Sequence, residues 1–144
     1  MSIAVLLKQV PDTTAKISIS GNRVDENSVS KWSMSPYDEY ALEAALKLKE
    51  SGGGNVVAIS AGPARCEKLL RDAAAVGADD LIHIMNDDIN NLDSRQLQKL
   101  LAAAISKSNS SIVLCGKQAA DTNSGSTGPG VAEILGASCM TMVS

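Results

Sequence analysis

Phenylalanine is absent from the 144 residues, and Trp32, Tyr37 and Tyr40 supply all the aromatic side chains. A chain this poor in flat rings offers little surface on which single-stranded bases could stack. The formal net charge is −3, from 13 basic and 16 acidic residues, so a basic footprint for a nucleic acid backbone is lacking too. Nucleic acid is therefore not expected as a partner. Cysteine is scarce: Cys66, Cys115 and Cys139 lie far apart without a CxxC pair, which argues against a disulfide framework or a zinc set. Cys115 and Cys139 sit in apolar runs and are expected to be buried thiols in a reducing compartment. The lone histidine, His83, lies inside an apolar run with no second His to join it, so a structural or surface-facing role is expected. The opening "MSIAVLLKQV" has too short an apolar stretch for a signal peptide, with no basic start and no cleavage site. No run is long enough to span a bilayer, so membrane insertion is not expected and the expected compartment is the cytoplasm.

What is present is an ordinary globular composition, 44% hydrophobic and 20% charged, which excludes a disordered chain. The core must be built from Ala, Leu, Ile, Val and Met. Residues 1–144 suit one domain, with no repeat, low-complexity tract or linker. Short apolar runs alternate with longer amphipathic patterns, which predicts an α/β fold with a mainly parallel sheet. "IAVLL" (3–7), "NVVAIS" (55–60), "LIHIM" (81–85) and "SIVLC" (111–115) read as strands, and "CMTMV" (139–143) as a fifth. "KISISGNRVDE" turns at Gly21-Asn22 and predicts a small hairpin. In "SPYDEYALEAALKLKE", Ser35 is expected to cap a helix, Pro36 to fill its first position and Asp38 to complete a capping box. Tyr37, Tyr40, Ala41, Ala44, Ala45 and Leu48 then recur on one helical face. A second helix is predicted from about Ala64 to Val76, closing on Gly77. A third opens at Asp93 with Gln96, burying Leu97, Leu100, Leu101, Ala104 and Ile105. A fourth starts near Thr127 and ends at Gly136.

In an open parallel sheet, ligands sit outside the carboxyl ends of the strands, where the strand order reverses. Three strand exits carry small or polar residues: Leu7-Lys8-Gln9, Ser60-Ala61-Gly62 and Gly116-Lys117-Gln118. The loop 121–128 adds the hydroxyls of Thr122, Ser124, Ser126 and Thr127, two glycines and free backbone N–H groups at a helix start. From spacing alone two readings stand, an anion cradle or a polar strand-to-helix loop with two turn glycines. Better-known nucleotide motifs fail. Gly116-Lys117 has no Walker A spacing, the first unit has no GxGxxG, and GxSxG is absent. Asp87-Asp88 reads as a solvated loop, and Asp38, Glu39 and Glu43 as first-turn helix charges. No nucleophile–base pair or acid–base dyad stands out, so the site reads as built to hold something.

Four blocks in order, "KQVPDT", "MSPYDEYALEAALKLKE", "SAGPARCEKLLRDAAAVGAD" and "GKQAADTNSGSTGPGVAEILG", resemble the beta subunit of electron transfer flavoprotein and cover nearly the whole chain. The resemblance implies a Rossmann-like three-layer α/β/α domain of the adenine nucleotide alpha hydrolase type, paired with an alpha subunit that carries the electron-transferring FAD. It implies AMP, or a second FAD in bifurcating members, as the ligand of this chain. The expected role is an electron carrier rather than an enzyme, taking electrons from flavin dehydrogenases that dock transiently. Carried over by motif, the nucleotide contacts are Leu6 beside the first strand, Ser35, Pro36, Tyr37 and Asp38 at the first long helix, and Ala61 after the second strand. The implied phosphate loop supplies Gly116, Lys117, Gln118, Ala119 and Asp121, then Asn123, Ser124, Gly125, Ser126 and Thr127. Backbone donors from Asn123 to Thr127 are expected to face the phosphate. Where the family pattern has "DxDTxQVG", this chain has "DTNSGSTG": Asn123 replaces an acid, and Ser126 replaces a Gln whose loss weakens the hold. Family members continue beyond the position of Ser144, so the resemblance is to the N-terminal, nucleotide-binding part. The alternative is a stand-alone adenine-nucleotide sensor or hydrolase of the same fold. A hydrolase would need an SGGxDS loop where this chain has "KQVPDT", and a sensor would need Gly where Ser138 stands.

Overall fold

The computed structural model describes residues 1–143. Four strands form the central sheet: β1 (Ser2–Leu6), β6 (Asn55–Gly62), β7 (Asp80–Met85) and β8 (Ile112–Cys115), in the order β7-β6-β1-β8 and all parallel. Alternation along β1 sends Ile3 and Val5 to one face and Ala4 and Leu6 to the other, as the two-residue period of a strand requires. The first face packs on helices α1 (Pro36–Gly52) and α2 (Cys66–Ala75) through Leu42, Ala45, Leu69, Leu70 and Ala73. The second packs on α3 (Ser94–Ser108) and α4 (Thr127–Leu135) through Leu101, Ala102, Ile105 and Val131. The result is a three-layer α/β/α fold, with β1 and β6 buried on both faces.

Two small antiparallel pairs stand off this sheet. β2 (Gln9–Pro11) pairs with β5 (Trp32–Met34), a pairing the sequence did not announce. β3 (Ile19–Ser20) and β4 (Arg23–Val24) form the expected hairpin around Gly21-Asn22. Its apolar side chains gain no cover, for Ile19 stays 75% exposed.

Several expectations are corrected here. Residues 139–143 form no strand and are exposed, Cys139 included, because among the described residues no neighbouring segment pairs with or covers them. The last residue of the fourth strand run, Cys115, is only half-buried. The α1 stripe is rotated: Asp38, Leu42 and Ala45 are buried, whereas Tyr40 is 75% exposed and Tyr37, Ala44 and Leu48 also face out. On α3, Gln98 and Ala102 are buried while Leu100 faces solvent. In both helices a polar side chain takes an inward position because it has a specific partner there, described next.

Candidate functional site

The chain leaves β1, builds β6 and β7 on one side, then returns to place β8 on the other. The order therefore reverses between β1 and β8, and a cleft of about 760 Å³ opens at their carboxyl ends. Asp38 fixes the floor of that cleft. Its carboxylate accepts from the backbone N–H of Lys8 at 2.8 Å, just past β1, and from that of Gly116 at 3.0 Å, just past β8. One side chain from the first turn of α1 thus staples the two strand ends at the switch point. Burial pushes its pKa up to about 6, against the pull of the two backbone N–H groups and of Lys8. The approach leaves no room at Gly116, where an added Cβ would stand 2.5 Å from Asp38 Oδ1 and 2.7 Å from the Tyr37 backbone.

This geometry revises the reading of the α1 start. Ser35 occupies the cap position, yet its side chain makes no capping bond, and its buried hydroxyl has no partner among the described residues. Asp38 does not close a box because both its oxygens are engaged elsewhere.

The loop after β8 folds back over the same strand ends. Asn123 and Gly125 adopt left-handed conformations, at φ 54° and 63°, which Gly allows and Asn tolerates. The Asn123 N–H donates to the Ala119 carbonyl at 2.9 Å, so it is not one of the free donors expected from sequence. Among the described residues, the backbone N–H groups of Ser124, Gly125, Ser126, Thr127 and Gly128 have no partner. Ser126 makes no side-chain cap on α4 either, and its carbonyl is held by the buried Gln98 amide at 3.1 Å. A set of unclaimed N–H groups at the start of a helix suits an anion. Burial likewise raises the pKa of Cys66 and Cys115, which border the cleft, so both stay as neutral thiols.

Leu6, Asp38, Ala61, Gly116, Lys117, Gln118, Ala119, Asp121, Ser124, Gly125 and Thr127 all border the cleft. Ser35, Pro36, Tyr37, Asn123 and Ser126 do not line it. Asn123 instead accepts from the Gln118 amide at 3.0 Å. The cleft also takes in Lys8 and Gln9 of the expected first strand exit, and Trp32, Glu26 and Arg65, which were not anticipated from sequence. Lys8 pairs with Asp121 at 2.8 Å and ties the first strand's exit to the loop. At the other end Arg65 lies 3.6 Å from the Trp32 ring centre, donates to Gln9 at 2.7 Å and pairs with Glu26 at 3.0 Å. These residues come from four separate segments, and for Arg65 the one local signal was a cation two residues past the "SAGP" strand exit.

Fold and cleft define a doubly wound α/β protein with a cleft at the strand-order reversal. The chain belongs to the electron transfer flavoprotein family: the model of the electron transfer flavoprotein domain matches residues 24–144. It is similar to the electron transfer flavoprotein subunit beta of Bacillus subtilis, 35% identical over 144 residues, covering 99% of this chain and 56% of that protein. It is 38% identical to the same subunit of Clostridium acetobutylicum, over 99% of this chain and 55% of that one. It is 36% identical to the acryloyl-CoA reductase electron transfer subunit gamma of Anaerotignum propionicum, over 94% of this chain and 52% of that protein. The chain spans about half the length of these relatives. No helix among the described residues is long and apolar enough to cross a membrane.

Proposed function

We propose that this chain is the nucleotide-holding part of an electron transfer flavoprotein beta subunit, with the phosphate end of AMP or FAD seated on the loop 116–127. The observation that carries the reading is the run of unpartnered N–H groups from Ser124 to Gly128, opening α4 at the switch-point cleft. Five such donors, the helix dipole and the hydroxyls of Ser124 and Thr127 suit a phosphate. The cavity is large enough for a nucleotide, and Ala61 with Leu6 at the end of β1 offers an apolar wall for adenine and ribose. A bound flavin would supply the electron-storing chemistry, and this chain's residues bind, orient and shield. The subunit pairs with an FAD-carrying alpha subunit in the cytoplasm and passes electrons from flavin dehydrogenases to an acceptor, as a carrier rather than an enzyme. Asn123 in place of an acid lowers the negative charge beside the phosphate.

Calorimetric titration of AMP, ADP and FAD into the wild type, Ser124→Ala and Ser124→Asp tests the site. Ser124→Asp sets a carboxylate against the phosphate and should lose more affinity than Ser124→Ala. Equal affinity in all three proteins would put the nucleotide elsewhere, and a folded wild type that binds none of the three would remove the reading.

A further inference from the structure

We propose that the β3–β4 hairpin with the turn after it is a strap across the cleft, hinged at Arg65 and latched by Asn90 and Asn91, and that it must lift to admit a ligand. The strap is carried by polar contacts. β3 and β4 pair only with each other among the described residues, and Ile19 and Val24 stay exposed, so no apolar packing fastens the hairpin down. Glu26, in the short 3-10 turn Glu26–Ser28, divides its carboxylate. One oxygen takes Arg65 at 3.0 Å and the other takes the Asn90 side-chain amide. Arg23, at the hairpin's end, donates to the Asn91 side chain. Asn90 and Asn91 belong to the turn Ile89–Asn91, on the segment between β7 and α3. The two latch contacts therefore join segments 64 and 68 residues apart, and Arg23, Glu26, Asn90 and Asn91 border the same cleft as the loop 116–127. The hinge is firmer than the latch. Arg65 stacks on Trp32, holds Gln9 with its guanidinium and receives the Gln9 amide on its own carbonyl at 3.1 Å. Exposed hydrogen bonds of the latch type break on their own far more readily than a packed core opens.

Cys66 makes the strap testable without any nucleotide. Cys66 is 2% exposed, its sulfur lies against Arg65 and Gln9, and it borders the cleft, whereas Cys139 is exposed. The experiment labels the full chain with N-ethylmaleimide, maps the sites by mass spectrometry, and follows hydrogen exchange in parallel. In Asn90→Ala/Asn91→Ala hairpin amides should exchange roughly tenfold faster, and in Glu26→Ala, which also frees Arg65 from the strap, labelling of Cys66 should accelerate by a similar factor. Cys139 labelling and exchange in β1 and β6 should not change. Unchanged hairpin exchange in Asn90→Ala/Asn91→Ala would overturn the proposal, as would unchanged Cys66 labelling in Glu26→Ala, and so would β1 and β6 exchange rising in step, since global unfolding would then explain the access. The strap does not rest on the nucleotide reading, and one added arm separates the two. Saturating AMP slows Cys66 labelling in the wild type if the nucleotide sits under the strap. Accelerated labelling in Glu26→Ala with no protection by AMP would keep the strap and remove AMP from beneath it.

Discussion

At the start of α3 the Asp93 carboxylate accepts from the Gln96 N–H at 2.7 Å, and the Gln96 side chain accepts from the Asp93 N–H at 3.0 Å. At the start of α1 the same spacing, Ser35 followed three residues later by Asp38, yields no such pair. Asp38 turns inward to Lys8 and Gly116, and Ser35 is left buried with its hydroxyl unpartnered. One helix start follows the local rule and stabilises only itself. The other gives up its cap to hold two strand ends at the cleft. Natural chains break local rules mainly where a site requires it. Asp38 and Asp93 both border the cleft, and the helix start that gives up its cap is the one that also staples two strand ends there.

The sharpest way to break this arrangement is Gly116→Ala. The position is not in the left-handed region, so the objection is space alone: the new methyl would meet Asp38 Oδ1 at 2.5 Å and the Tyr37 backbone at 2.7 Å. Backbone on one side and a doubly bonded carboxylate on the other cannot both yield. The expected loss is about 3 kcal/mol in chemical denaturation. A loss under about 0.5 kcal/mol would mean that the strand ends are not held at this spacing.

Asp38→Asn comes next and is read against pH. The Asp38 pKa is raised from 3.8 to about 6, so between those values the folded chain holds a proton that the unfolded chain has released. Stability from this group is complete below about pH 4 and falls as pH rises through about 6, by ~3 kcal/mol in all. Lys8 and Asp121 are the charged neighbours, and they pull in opposite directions. Asn cannot ionise, so the stability difference between wild type and variant should shift over that window, in favour of the variant at the higher pH. Urea denaturation from pH 4 to pH 8 measures it. A pH-independent difference would show that Asp38 does not titrate there. Asp12 works the other way: hydrogen bonds from Thr14 hold its carboxyl down at about 2, so its contribution is lost only in acid.

The strands and the fourfold βα alternation were legible because apolar runs and capped amphipathic stretches are local signals. β2 and β5 were not, since three-residue strands such as Gln9–Pro11 carry no period to read. The α1 stripe misled because Tyr and Ala score as inward residues while Asp38 scores as outward, and the staple reverses both. At the site, the loop 116–127 was readable from its glycines, hydroxyls and helix start. The Asp38 staple and the Arg65–Glu26–Asn90 chain were not, because each joins segments that only the fold brings together. The strand expected at residues 139–143 illustrates the converse: an apolar run becomes a strand only when an edge receives it.

Asp93→Ala removes a complete capping box and should cost about 1 kcal/mol. Asp93 borders the cleft but belongs to none of the loop donors from Ser124 to Gly128, so AMP affinity should fall far less than in Ser124→Asp. A loss of affinity comparable to that of Ser124→Asp would erase the distinction between the two helix starts.

The smallest effect is expected at Ser35→Ala. By the ordinary rule a cap residue replaced by Ala destabilises by about 1 kcal/mol, because an N–H in the first turn loses its acceptor. Here there is no side-chain cap to lose, and the hydroxyl is buried with nothing to bond. Removing an unpaired buried hydroxyl relieves a desolvation penalty, and the methyl left behind fills nearly the same space. The Ser35 carbonyl and N–H, which bond Asp38, Glu39 and Lys8 through the backbone, are untouched by the substitution. Ser35→Ala should therefore be neutral or stabilising by up to ~1 kcal/mol, opposite in sign to Asp93→Ala. Ser35 does not line the cleft, so AMP affinity should hold. Thermal denaturation of the two variants side by side decides the matter: equal losses would restore a working cap at α1 and free Asp38 from its staple.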